Sequence, residues 1–93
     1  MTIKLSKFGF LLTSRPAGRE AYLSARAYLL PEKIDLLEID FEETKVVTPS
    51  WLDEFLTLFR HDYPKTKIVF KKSDNQSVVS SLKILSFPPP SDS

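Results

Sequence analysis

The stretch Thr48-Pro49-Ser50-Trp51-Leu52-Asp53-Glu54 holds the residue types best placed to do chemistry in this chain. A hydroxyl residue followed by proline marks a helix start. Thr48 can be the N-cap, with Pro49 in the first helical position, where its missing donor is not needed. Alternatively Ser50 caps and Asp53, three residues on, completes a capping box. Either accounts for these residues structurally. A hydroxyl at a helix amino end also suits a phosphoryl group, because free backbone donors and the helix dipole stabilise added negative charge. Asp53, Glu54 and the Glu42–Glu43 pair would oppose that charge, so its arrival would act as a switch.

Other clusters are weaker. Asp35, Glu38, Asp40, Glu42 and Glu43 are acidic neighbours in sequence but lack the spacing of a calcium loop. Lys65, Lys67, Lys71 and Lys72 form a basic cluster, which nucleic-acid binding would pair with exposed aromatics. Phe70 instead points to the core by alternation, so solvated strand flanks explain the lysines better. His61, the single histidine, follows Arg60 at a helix carboxyl end, where a cation is favourable. Arg15 can bridge to Asp40 or meet a phosphate, the bridge being the simpler role. With no cysteine and two glycines, no thiolate site, disulfide or glycine-rich phosphate loop can be built. The expectation is therefore no catalytic residue, no metal, no cofactor and no enzyme.

Composition agrees with a binding module. The 93 residues carry 13 basic and 12 acidic side chains, for a net charge of +1. A near-neutral chain is not held to nucleic acid or anionic lipid by overall charge. Hydrophobic residues make up 42% and charged residues 27%, which is globular composition. A chain this size buries roughly two-thirds of its unfolded surface, enough for one core. Phe8 to Leu12 is the longest apolar run near the amino end, too short for a signal-peptide core or a membrane span. A cytoplasmic protein is the expectation.

The elements that position these residues follow from periodicity. Ile3 and Leu5 alternate with polar neighbours, and Phe8, Phe10 and Leu12 follow at once, which predicts two strands joined as a hairpin. Ala17, Ala21, Tyr22, Ala25, Tyr28 and Leu29 recur at helical spacing between Pro16 and Pro31. Leu37, Ile39 and Phe41 share one face of a strand, with Leu36, Glu38 and Asp40 on the other. Trp51, Leu52, Phe55, Leu56 and Phe59 form the stripe of a second helix from about Pro49 to Arg60. Lys65 to Lys72 reads as a strand, with Ile68 and Phe70 inward. Ser73 or Asn75 then caps a last helix carrying Val78, Val79, Leu82 and Leu85.

The expected fold is α/β: a two-layer sandwich with a mixed four-stranded sheet, an N-terminal hairpin followed by parallel strands, and about three helices mainly on one face. Strands covered on both faces read as continuous apolar runs, and these alternate. The open face would let Glu38 and Asp40 pair with lysines across the sheet, or would serve a partner or a second copy as in a homodimer. The domain covers residues 1–86, and residues 87–93 form a proline-rich disordered tail. Parallel strands bring their carboxyl ends to one edge, where ligands usually meet open α/β sheets. That edge should gather Arg15, Asp40, Glu42, Glu43, Thr48, Ser50, Ser73 and Asp74.

The run from Leu37 to Phe55, with its strand ending Asp40-Phe41, short valine segment, Ser50 before a helix and Asp53-Glu54-Phe55 within it, resembles the STAS-like domain family of unknown function. Phe8-Gly9, Ser14-Arg15 and the final strand followed by Asn75 and a helix fit the same pattern, so the resemblance spans about residues 3–85. That family is similar to the STAS domains of bacterial anti-sigma-factor antagonists. The resemblance implies a non-enzymatic regulatory domain that docks on another protein, often a serine kinase of the histidine-kinase-like ATPase fold. Phosphorylation of a hydroxyl before a helix weakens that docking. Antagonist loops read Asp-Ser-Ser-Gly where this chain has Thr48, Pro49, Ser50 and Trp51, so Ser50 is the implied phosphorylation point. The expected partner surface is Arg15, Asp40, Thr48, Ser50, Trp51, Asp53 and Glu54. The alternative is an accessory nucleic-acid-associated module using the Lys65–Lys72 cluster.

Overall fold

Prolines and hydroxyls set the ends of the two long helices. A computed structural model describes residues 1–87. Ser14 accepts a hydrogen bond from the Ala17 N–H at 3.2 Å and caps α1, Arg15–Tyr28. Thr48 accepts from the Trp51 N–H at 3.5 Å and caps α2, Pro49–Asp62. Of the two starts that the sequence allows for α2, the Thr48 cap is adopted, and Ser50 is left as an exposed residue of the first turn. A third helix, α3, covers Gln76–Ile84; its cap, Asn75, accepts from the Ser77 N–H at 2.9 Å.

Among the described residues, five short strands make two separate parallel sheets. β1 (Thr2–Lys4), β3 (Leu36–Asp40) and β5 (Lys67–Phe70) lie in the order β1-β3-β5. β2 (Leu11–Leu12) pairs only with β4 (Val46–Val47), Leu11 opposite Val46 and Leu12 opposite Val47. The α/β class with three helices matches expectation, but the N-terminal hairpin and the single mixed four-stranded sheet do not. After Lys4 the chain coils into a 3-10 turn, Leu5–Phe8, which buries Leu5. Gly9 then takes φ 125°, a conformation that side chains disfavour. The turn carries β2 out of the first sheet, and β2 runs parallel to β4 instead of folding back on β1.

Register places Ile3, Ile39 and Phe70 side by side, and Leu37 beside Ile68. Ile3, Leu37, Ile39 and Phe70 are buried in one core with helical residues, whereas Thr2, Leu36, Glu38, Lys67 and Val69 are not buried. The chain steps from β1 to β3 to β5 in one direction, so right-handed crossovers put successive connections on the same face. The alternation legible in β3 and β5 follows from that. Cross-sheet pairing of the acids is half as expected. Asp40 lies 3.9 Å from Lys71, but Glu38 stands opposite Thr2 and accepts its hydroxyl at 2.9 Å.

The proline-rich segment 88–93 lies outside the described residues. Phe87, assigned to the tail from sequence, packs on the domain. Its ring is 5.3 Å from that of Phe70, and the Arg60 guanidinium sits 4.9 Å from its centre.

The helix layer depends on a close approach. α1 turns Gly18, Ala21 and Ala25 inward, and α2 answers with Trp51, Phe55 and Phe59. A Cβ added at Gly18 would lie 2.5 Å from the Trp51 carbonyl oxygen, well inside contact distance. Trp51 stacks on Phe55 at 5.2 Å, and Phe8 and Tyr22 each approach Phe55 at 5.7 Å. Gly18→Ala should lower unfolding free energy by about 1–3 kcal/mol despite its gain in helix propensity. Phe55→Ala should cost about 3–5 kcal/mol. Urea unfolding curves check both, and wild-type midpoints would contradict this packing.

Candidate functional site

The residues expected at one edge separate into two places. The first is a cleft of about 450 Å³ at the carboxyl ends of β3 and β5, lined among others by Asp40, Glu42, Glu43, Ser73 and Asp74. Its acids are largely engaged. Asp40 is buried, accepts the Glu42 N–H at 2.9 Å, and faces Lys71. Lys4 lies 3.7 Å from Glu42 and 3.3 Å from Glu43. Asn75 closes the floor by donating to the Thr44 and Lys45 carbonyls at 2.9 and 3.0 Å. Glu43 adopts φ 70° in this loop, and the buried Thr44 hydroxyl has no hydrogen-bond partner among the described residues.

The second place is the amino end of α2. Arg15, the first residue of α1, reaches Asp53 at 2.8 Å and Glu54 at 3.2 Å, and Arg19 approaches Glu54 at 3.8 Å. Asp53 first, then Glu54, hold the Arg15 guanidinium still more firmly protonated than usual. The expected Arg15–Asp40 bridge does not form. Arg15 follows β2, which lies in the sheet that leads through β4 into α2, so it meets the first turns of α2 and not the end of β3.

Thr48 joins the layers at this point. Its N–H and hydroxyl both donate to the Leu12 carbonyl, at 2.9 and 3.3 Å. Thr48 is thus occupied by structure, whereas the Ser50 hydroxyl makes no hydrogen bond among the described residues. Trp51, placed on the partner surface from sequence, is 1% exposed. Its position one turn into a helix that packs on Gly18 turns the ring into the core, so it presents no side chain to a partner.

Periodicity within single segments missed the pair Ser77 and Ser81. Ser77 accepts the Val47 N–H at 3.1 Å, and Ser81 donates to the Val47 carbonyl at 2.9 Å. One helical turn apart, they satisfy the outer edge of β4 as a neighbouring strand would. The signal available was a serine at the inward spacing of α3. The lysine strand, in turn, lacks the exposed aromatic that nucleic-acid stacking uses: Phe70 is 4% exposed and stacks on Phe41.

No group of three or more His, Asp or Glu residues among the described residues is arranged to hold a metal ion. No helix among them is long and apolar enough to cross a membrane. His61 is exposed and lies 3.3 Å from Asp62. Comparison of the chain with protein-family models, curated proteins and solved structures finds no match.

Asp62 also ties α2 to α1, through the Tyr22 hydroxyl, which donates to it at 2.5 Å. That bond, then the one to His61, holds the Asp62 carboxyl below its ordinary range, while burial and then Asp62 push the Tyr22 phenol up. A depressed carboxyl stabilises the fold above its unfolded pKa, and the contribution disappears as pH falls through the lower folded value. Tyr22→Phe should therefore flatten the fall of stability below about pH 4. Urea unfolding across acid pH checks it, and parallel wild-type and variant curves would contradict it.

Proposed function

We propose that this chain is a non-enzymatic regulatory domain that binds another protein through the amino end of α2. The observation that carries this reading is Ser50, exposed in the first turn with a hydroxyl left unused because Thr48 caps the helix. Around it stand Arg15 and Asp53, charged and accessible, and the largely covered Glu54. The resemblance to STAS-like domains supplies the partner class, a serine kinase of the histidine-kinase-like ATPase fold, and the switch, phosphorylation of Ser50. A phosphate there would gain from the α2 amides and stand one turn before Asp53 and Glu54, the two acids that hold Arg15. Added charge would compete for Arg15 and change the sign of the surface that a partner meets. Asp40 belongs to the neighbouring cleft, and Trp51 supports this surface from beneath.

Wild type, Ser50→Ala and Ser50→Asp, each verified as folded by circular dichroism, should be compared in quantitative pull-downs from nuclease-treated lysate of the source organism. Wild type and Ser50→Ala should recover the same protein, and Ser50→Asp about tenfold less. Equal recovery by all three would overturn the switch. Recovery of protein by all three from untreated lysate alone would favour a nucleic-acid-associated role.

A further inference from the structure

Two buried polar side chains line the cleft at the carboxyl ends of β3 and β5, and the fold leaves both short of partners. Thr44 is 6% exposed, and its hydroxyl makes no hydrogen bond among the described residues. A hydroxyl buried in this way gives up water and gains nothing from the protein. Asp40 is 8% exposed, and the hydrogen bond it accepts is the one from the Glu42 N–H to Oδ1. Its Oδ2 faces the Lys71 ammonium at 3.9 Å, beyond hydrogen-bond range. A carboxylate can accept about four hydrogen bonds, so most of the capacity of Asp40 is unused. The two residues bracket one tight turn, in which the Thr44 N–H donates back to the Phe41 carbonyl at 3.0 Å.

Charge identifies what fits. An idle carboxylate and an idle hydroxyl complement an ammonium, which brings three donors and a positive charge. A simple cation would leave Lys71 beside a second positive charge. A ligand with a carboxylate next to its ammonium avoids that: as the ammonium takes Asp40, the carboxylate takes Lys71, whose side chain is 45% exposed and has room to turn. Asp74, exposed on the lining of the same cleft, makes no ion pair among the described residues and suits a second cation on the ligand. The cleft, at about 450 Å³, is of the size that takes a whole small molecule, about 300–1,000 Å³. A metal ion does not suit it, since no three His, Asp or Glu residues among those described are grouped to hold one.

We propose that this cleft binds a free amino acid with a basic side chain. The α-ammonium donates to Asp40 and Thr44, the α-carboxylate pairs with Lys71, and the side-chain cation meets Asp74. This site is separate from Ser50 and stands or falls without it.

The full chain, followed by backbone amide NMR, is titrated with L-arginine, with agmatine, which lacks the carboxylate, and with Nα-acetyl-L-arginine, whose α-ammonium is blocked. L-arginine should shift the Glu42, Glu43, Thr44 and Asp74 amides saturably, and the other two should bind about tenfold more weakly. Thr44→Val should bind L-arginine about tenfold more weakly, yet unfold at a higher urea concentration than wild type, because it buries no idle hydroxyl. Lys71→Met should bind L-arginine no better than agmatine. Absent shifts at the cleft, equal binding of agmatine, or undiminished binding or a lower urea midpoint in Thr44→Val would overturn the proposal. So would the same shifts produced by magnesium chloride at lower concentration. Equal binding of Nα-acetyl-L-arginine would overturn it too, since the site would then serve an arginine within another chain.

Discussion

The contact between Gly18 and the Trp51 carbonyl sets the geometry on which both helices depend. Because α1 has no side chain at that point, its backbone can lie against the first turn of α2. Ala21 and Ala25 continue the shallow groove, and the large rings of α2 fill it. Close backbone approach gains dispersion contacts that a wider spacing would forfeit. It also fixes how the first turn of α1 lies against α2, and hence where Arg15 stands. The ion pairs from Arg15 to Asp53 and Glu54 are surface interactions of small individual worth. Packing beneath them holds their partners in place, so they report the helix geometry more than they create it.

The two sheets share the work of carrying that helix layer. β3 and β5 anchor its floor through Leu37, Ile39 and Phe70, whereas β2 and β4 act as a short clasp at the amino end of α2. Thr48 belongs to both clasp and helix, since its hydroxyl caps α2 while it donates to Leu12. Such double use leaves Ser50 structurally idle. Polar groups that the fold consumes are poor candidates for regulation, because modifying them costs stability. A hydroxyl that the fold does not consume can change charge with little penalty to the core.

The helices were largely legible in sequence. Pro16 and Pro49 marked their starts, and the stripe from Trp51 to Phe59 marked the buried face. β3 and β5 were legible because one face of each is largely open, which leaves a period near two in their apolar residues. The hairpin was misread because apolar alternation runs from Ile3 to Leu12, and nothing local distinguishes a strand from a 3-10 turn that buries Leu5. β4 was too short to show a period at all. Trp51 was assigned to the surface by its place in a loop-like motif, although its spacing to Phe55 already put it on the stripe. At the site, the grouping of Arg15 with Asp53 and Glu54 depended on pairing β2 with β4, a long-range choice that no single segment encodes. Arg15 was therefore joined to Asp40, whose expected neighbours Lys71, Glu42 and Glu43 are otherwise the ones it has.

All-parallel pairing has a consequence for how the chain is made. Every ladder joins residues separated by an intervening helix: β1 meets β3 only across α1, and β3 meets β5 only across α2. No stretch released early from a ribosome can close a sheet within itself, and the first strand must wait for a partner synthesised much later. Loop-closure entropy is paid before these contacts repay it. The helices, held by near neighbours in sequence, are the natural first structure. Cutting the chain before Lys67 would therefore remove one side of the central strand together with the helix that secures β4.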